Sequence, residues 1–215
     1  MLLRICRRRN RRVDNRLQDR RLVEEQSTDS TMENICNEQF LEWAHQFNIG
    51  LDQRYHPPQT LILQGAKSID CNLPSTIQGR IWLINGTLDA LPRGRIYVWK
   101  RGGEWYLDDD PARETRIYLR TGIYEMFRRV GIPMTKTTLL FAKDEVEVLA
   151  AVLLLNSMIA WKVPDDLAVV HENGASVITF DSDDLFIVQT VDSGLSSRMA
   201  EIMDRARQGE SNRKK

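Results

Sequence analysis

Histidine is scarce in this chain: three in 215 residues, His45, His56 and His171, with no HxxxH or HxH spacing between any two of them. That excludes a local histidine zinc site and leaves only an assembly brought together in space. The three cysteines, Cys6, Cys36 and Cys71, are odd in number and lack CxxC spacing, so they make neither a disulfide framework nor a zinc knuckle. Reduced thiols in the cytoplasm are the expectation. Nucleotide cradles are missing too: GxxxxGK[ST], GxGxxG and the GxSxG elbow are all absent. Catalytic and cofactor-binding residues therefore cannot be named from motifs, and no metal or cofactor is assigned.

Net charge is also lacking. Lys plus Arg and Asp plus Glu are both 30. The balance is uneven, however. Residues 1–31 hold nine Arg, no Lys and five acids, so the remainder of the chain is mildly acidic. Such a body has no electrostatic reason to bind nucleic acid, and no nucleic-acid partner is expected except through residues 1–31. Apolar side chains are sparse in that segment, which reads as a disordered Arg-rich arm, with Met32 as an alternative native start. The apolar stretch at Met1–Leu3 and Ile5 is too short for a secretory signal.

One long apolar run is present. From Val148 to Leu155 eight apolar residues follow one another inside DEVEVLAAVLLLNSMIAW, residues 144–161. Eighteen residues are too many for one strand. Acids at one end, and Asn156 and Ser157 near the other, argue against a membrane span. The expectation is a buried central helix, opened by an Asp144/Glu147 capping box and closed before Pro164. Its six larger side chains from Val148 to Leu155, at about 2 kcal/mol each, are too costly to leave in water.

The remaining elements follow from period and punctuation. Cys36, Phe40, Trp43 and Phe47 stripe a helix over 31–47, with Ser30 and Glu33 as its capping box. Strands are expected at 60–64, 79–84, 95–100 and 104–107, with 64–79 irregular and Asn85–Gly86 a turn. A helix starts at Asp110–Pro111. The C-terminal half reads β-α-β-β-β: 138–142, the central helix, 167–171, 176–180 and 185–190, with a type I′ hairpin at Asn173–Gly174. Leu195, Met199, Ile202 and Ala206 stripe a last helix over 193–208. The fold class is α+β, a mostly antiparallel sheet packed against the central helix, with amphipathic helices near both ends. It forms one domain over 32–209, followed by a disordered tail over 210–215.

Three acidic runs are the strongest chemical signal: Asp108–Asp110, Asp165–Asp166 and Asp181/Asp183/Asp184. Each offers hard oxygen ligands, yet each also falls where a cap or turn calls for an acid. Trp82, Tyr97, Trp99, Trp105 and Tyr106 fall on expected strands beside Arg93, Arg95, Lys100 and Arg101. They form either a base-stacking face or core. The favoured function is a non-catalytic cytoplasmic domain that binds another protein. A metal-dependent hydrolase using converging carboxylates, with His56 beside them, is the alternative, and nucleic-acid binding through the Arg-rich arm is the second. Convergence of two acidic runs in one cleft is the observation that favours the hydrolase. A chain beginning at Met32 is expected to melt at the temperature of the full-length chain; a large drop would show that residues 1–31 pack on the body.

Overall fold

The computed structural model describes residues 33–54, 60–100, 129, 138–159, 166–181 and 184–211. In chain order the elements are β1 (Glu33–Ile35), α1 (Asn37–His45), β2 (Ile49–Leu51), β3 (Leu61–Leu63), β4 (Lys67–Asn72), α2 (Ile77–Ala90), β5 (Ile96–Lys100), β6 (Thr138–Phe141), α3 (Val146–Ile159), β7 (Leu167–His171), β8 (Ser176–Phe180), β9 (Leu185–Thr190) and α4 (Ser193–Ser211). A single 3₁₀ turn, Lys143–Glu145, leads into α3. Seven strands form one antiparallel sheet in the order β1-β6-β5-β7-β8-β9-β4, and β2 pairs with β3 in a separate hairpin. The chain is thus α+β.

Every residue of β5, β6, β7 and β8 is buried, so the sheet is covered on both faces there. Strand alternation divides the side chains. Ile96, Val98, Leu139, Phe141, Leu167, Val169, Ile178, Phe180, Phe186 and Val188 share one apolar cluster with Leu83, Leu149, Val152, Leu153, Leu195 and Met199, from α2, α3 and α4. Tyr97, Trp99, Leu140, Ala168, Val170 and Val177 form a second cluster with Phe40 and Ala44 of α1 and with Ile49, Leu61 and Leu63 of the hairpin. Tyr97 packs 4.2 Å from Trp43 and 5.5 Å from Phe40, ring centre to ring centre. The aromatics of β5 are therefore core, lidded by α1, and give no base-stacking face; Lys100 at the end of that strand is itself buried. Among the described residues, no helix is long and apolar enough to cross a membrane.

The strand expected over 79–84 is part of helix α2, and the expected Asn85–Gly86 turn lies inside it. Its cap is Thr76, whose hydroxyl accepts from Gly79 N–H at 3.1 Å. Leu83, Ile84, Thr87 and Leu88 are buried at helical spacing. The β-rich look of GRIWLI misled because a helix buried against two neighbours also carries runs of branched apolar residues such as Leu83 and Ile84. Gly86 has a packing role: a Cβ there would lie 3.2 Å from Ile202 Cγ2, so α2 and α4 approach closely. Trp82, expected on a strand, is an outward residue of α2 at 40% exposure. The segment expected to be irregular contains β4.

Glu33 belongs to a strand and not to a capping box, and α1 starts at Asn37 behind Cys36, which makes no side-chain cap. At the start of α3 the capping acid is Glu145, not Asp144. The buried Glu145 carboxylate accepts from Ala142 N–H at 2.8 Å. The expected Arg-rich arm and the elements at 104–107 and 110–131, apart from Arg129, lie outside the described residues; the tail expected over 210–215 begins inside α4, which continues past Gly209 to Ser211, and residues 212–215 also lie outside the described residues.

The three C-terminal strands stand where expected, but the type I′ turn does not. Gly174 N–H closes a turn on His171 carbonyl at 2.9 Å, with Gly174 at φ +64° and Asn173 not in the left-handed region. The connection therefore spans four residues, Glu172 to Ala175, before β8 resumes. A Cβ on Gly174 would also fall 2.2 Å from the Phe47 ring. Gly174→Val combines an adverse φ with overpacking and is expected to lower stability by at least about 2 kcal/mol in urea unfolding. An unchanged unfolding midpoint would show that this corner is loosely packed.

Candidate functional site

The second face of the sheet is covered by α1 over β5 and β6, and by the β2–β3 hairpin toward β8 and β9. The hairpin is short, three residues a side, with Ile49 opposite Leu63 and Leu51 opposite Leu61. Such a pair is marginal alone and needs anchoring. Ile49, Leu61 and Leu63 are buried against the sheet. Gln189 of β9 supplies the polar anchor. Its Oε1 accepts from Leu63 N–H at 2.9 Å and its Nε2 donates to the Leu61 carbonyl at 3.1 Å. One side-chain amide thus satisfies one donor and one acceptor on the sheet-facing side of β3, as a neighbouring strand would.

Beside this anchor the cover is incomplete. A cleft of about 470 Å³ opens between the hairpin and strands β8, β9 and β4. Asp52, Thr60 and Gln64 line it from the hairpin side, and Ser68, Thr179, Asp181 and Gln189 from the sheet side, with Asp166 just before β7. The ladder of β7 and β8 pairs Leu167 with Phe180 and Ala168 with Thr179. Asp166 directly precedes Leu167 and Asp181 directly follows Phe180, so both stand at the end of this ladder, and both line the cleft. Carboxylates from two of the three acidic runs therefore meet in one cleft. The third run, Asp108–Asp110, lies outside the described residues, as do Asp165 and Asp183. Asp184 serves elsewhere: it pairs with Arg80 at 3.1 Å, and Arg80 also donates to the carbonyls of Pro74 and Ser157, tying α2, α3 and the β8–β9 turn together.

Thr179 is 1% exposed, and its Oγ1 has no hydrogen-bond partner. Leaving a buried polar group unsatisfied costs about 1–3 kcal/mol. The residue gave no signal in the sequence, where it is one threonine among β-branched neighbours on a strand. Asp52 was equally unmarked. It is buried on the hairpin side, where the exposed Arg54 grips its carboxylate: Nε lies 2.9 Å from Oδ1, and Nη2 lies 2.6 Å from Oδ2.

The histidines do not gather here. His45 is exposed at the end of α1, and His56 lies outside the described residues. His171 is buried on the opposite face of the sheet. Its Nδ1 accepts from Asn173 N–H at 3.1 Å, which places the ring proton on Nε2, and Nε2 has no partner. A Cβ on Gly94 would come within 2.6 Å of Nε2, so the imidazole edge fills the space that this glycine leaves. Cys71 is no nucleophile: burial pushes its thiol up to about 11, and it faces the helix layer. Among the described residues, no three His, Cys, Asp or Glu side chains are gathered closely enough to hold a metal ion.

The hydrogen bond from the Arg54 side chain holds the Asp52 carboxyl below its ordinary value of 3.8. A carboxyl whose value falls on folding stabilises the fold above its unfolded value, and that contribution is lost as pH drops through the folded value. Arg54→Gln is therefore expected to lower stability at pH near 7 by about 1 kcal/mol, and the gap should close in strong acid, below the folded value of Asp52, where the carboxyl is protonated in parent and variant alike. Urea titrations at both pH values measure it; an equal loss at both would assign Arg54 a packing role only. The chain matches no protein-family model, no curated protein and no solved structure, which leaves the chemistry of this cleft as the guide to function.

Proposed function

We propose that this chain is a non-catalytic binding domain of the cytoplasm, and that the cleft under the β2–β3 hairpin is its binding site. The observation that carries the reading is the Thr179 hydroxyl, buried without a partner in the wall of a cleft. A bound polar group would satisfy it and recover the cost of burying it. The volume of about 470 Å³ falls in the range of small-molecule sites, roughly 300–1,000 Å³. Thr60, Gln64, Ser68, Thr179 and Gln189 make the lining polar, so the occupant is polar rather than an apolar anchor. A protein docked through an apolar patch has less support. The exposed large apolar side chains among the described residues are Ile77, Trp82 and Val191, and such scattered residues are ordinary on a soluble surface. The free, exposed thiol of Cys36 suits a reducing compartment.

A metal-dependent hydrolase is the second reading, favoured by the meeting of Asp166 and Asp181. With two carboxylates from the chain, Mg²⁺ would have to take its remaining ligands from water and substrate.

The test is an amide NMR titration of the full chain with a set of small polar fragments. Saturable shifts are expected at Thr60, Gln64, Ser68, Thr179 and Gln189, weakened in Gln189→Leu, which frees the hairpin. Fragments that perturb only other surfaces, or none, would defeat the cleft as a binding site. Hydrolysis of phosphate or carboxylic esters that depends on Mg²⁺ or Mn²⁺, and is lost in Asp181→Asn, would replace the binding reading with the hydrolase.

A further inference from the structure

We infer that the cleft recognises an uncharged polyhydroxy ligand, a neutral hexose ring seated on Ile187 with its hydroxyls reaching Thr179 and Ser68; this rests on the cleft being a binding site. The register of the sheet lays out the floor. Thr179 of β8 stands opposite Ile187 of β9, and Ile187 stands opposite Asp70 of β4. Gln189, two residues further along β9, stands opposite Ser68. Side chains two apart along a strand share a face, so Thr179, Ile187 and Ser68 are on the same side of the sheet. The half-buried Ile187 thus lies between two hydroxyl residues, and all three line the cleft. On its other flank Thr179 stands opposite Ala168. Both cross-strand neighbours of Thr179 are therefore apolar and offer its buried Oγ1 no polar side-chain atom. The cleft is the side from which a partner can come.

That floor has the chemistry of a sugar's counterpart. A hydroxyl both donates and accepts, so two hydroxyls can pair in either sense. An apolar centre bordered by hydroxyls matches a pyranose ring, which carries C–H bonds on its faces and hydroxyls around its edge. Charge selects against ionic ligands. The charged lining residues are Asp52, Arg54, Asp166 and Asp181. Asp52 and Arg54 hold one another in a forked pair, and Asp166 and Asp181 are each engaged in interactions within the protein. A cationic ligand would have to displace a partner that an acid already has. An anionic one would have to compete with those carboxylates for their donors. A neutral ligand does neither. A purely apolar ligand would leave Thr179 unsatisfied, with the cost of its burial still in place. The cleft volume of about 470 Å³ admits one such ring together with bridging waters. The same ring occurs as a free sugar and as the terminal unit of a glycan, so the chemistry of recognition is shared by two sources.

Amide NMR titrations of the full chain separate the outcomes. The neutral probes are D-glucose, D-galactose and D-mannose, and tetrahydropyran supplies the same ring without hydroxyls. For the sugar that binds, its 2-amino-2-deoxy and uronate analogues add a charge of either sign. Saturable shifts at Ser68, Thr179 and Ile187 are expected with at least one sugar. Its affinity should be at least tenfold tighter than that of tetrahydropyran, and tighter than that of either charged analogue. It should fall at least fivefold in Ser68→Ala and in the near-isosteric Thr179→Val. Thr179→Val should also melt at or above the temperature of the parent, because the hydroxyl it removes is unsatisfied. A clear fall in melting temperature would show that this hydroxyl has a partner inside the protein, and would overturn the inference. The two methyl glycosides of the bound sugar assign its source: affinity retained by either identifies a glycan end, and loss of both identifies the free sugar. Tetrahydropyran binding as tightly as the sugar would overturn recognition of hydroxyls, and a charged analogue binding as tightly would overturn the selection for a neutral ligand. Silence of the cleft amides to all three sugars, while polar fragments still bind, would remove the sugar and leave the binding site. Silence to sugars and fragments alike would remove the site itself.

Discussion

Four adjacent strands buried along their whole length set the terms for the rest of the molecule. A sheet in that condition needs an apolar cover on each face, because its alternating side chains are apolar both ways. Helices α2, α3 and α4 supply one cover, and their packing closes around Leu83, Leu149, Leu153 and Met199. Among the described residues, the other face is covered by one nine-residue helix and a three-residue-a-side hairpin. The cleft is what these elements leave uncovered. It lies where the apolar side chains of the second face give way to Thr179, Asp181 and Gln189.

That change of side-chain character separates a packing defect from a built site. A void lined by leucine and valine would only forfeit contacts. Here the void is lined by acids, hydroxyls and amides, and one of those amides, Gln189, is committed to holding the hairpin at a fixed height above the sheet. The hairpin, in turn, carries Asp52 and its Arg54 partner to the rim. The polar residues thus divide into those that position the wall and those that face the open cleft. The helix-layer face shows the contrast. There Thr87 donates to the Leu83 carbonyl and Thr190 to the Ala175 carbonyl, both inside the core, and among the described residues His171 Nε2 is the buried polar atom left without a partner.

Much of the architecture is a matter of local sequence. The apolar run of α3 has no soluble conformation other than a buried helix, and the alternation in IYVWK, LAVVH and SVITF places both faces of the central strands in the interior. Asn173–Gly174 marks a chain reversal, although the structure closes it as a four-residue connection, because Phe47 packs against Gly174 and fixes the corner from outside. Errors fell where a short segment is buried from several sides. GRIWLI carries Leu83 and Ile84 for packing between α3 and α4, and composition alone cannot separate that from a strand. KSIDCN has polar residues at alternate positions because it is an edge strand, and its pairing partner, β9, lies more than a hundred residues away.

The sequence by itself determined the α+β class, the buried central helix, the three C-terminal strands and the absence of nucleotide or histidine metal motifs, because each of these is a local property of spacing and composition. Only the tertiary structure decided where the acids meet. Asp166 and Asp181 are fifteen residues apart and look like two separate turn acids; the pairing of Leu167 with Phe180 brings them to one end of the β7–β8 ladder, where both line the cleft. Thr179 becomes an unsatisfied hydroxyl, and Asp52 a buried carboxylate, only once a hairpin from a distant part of the chain is laid over the sheet. Burial and partnership belong to the packed state, and no residue carries them in its spacing along the chain.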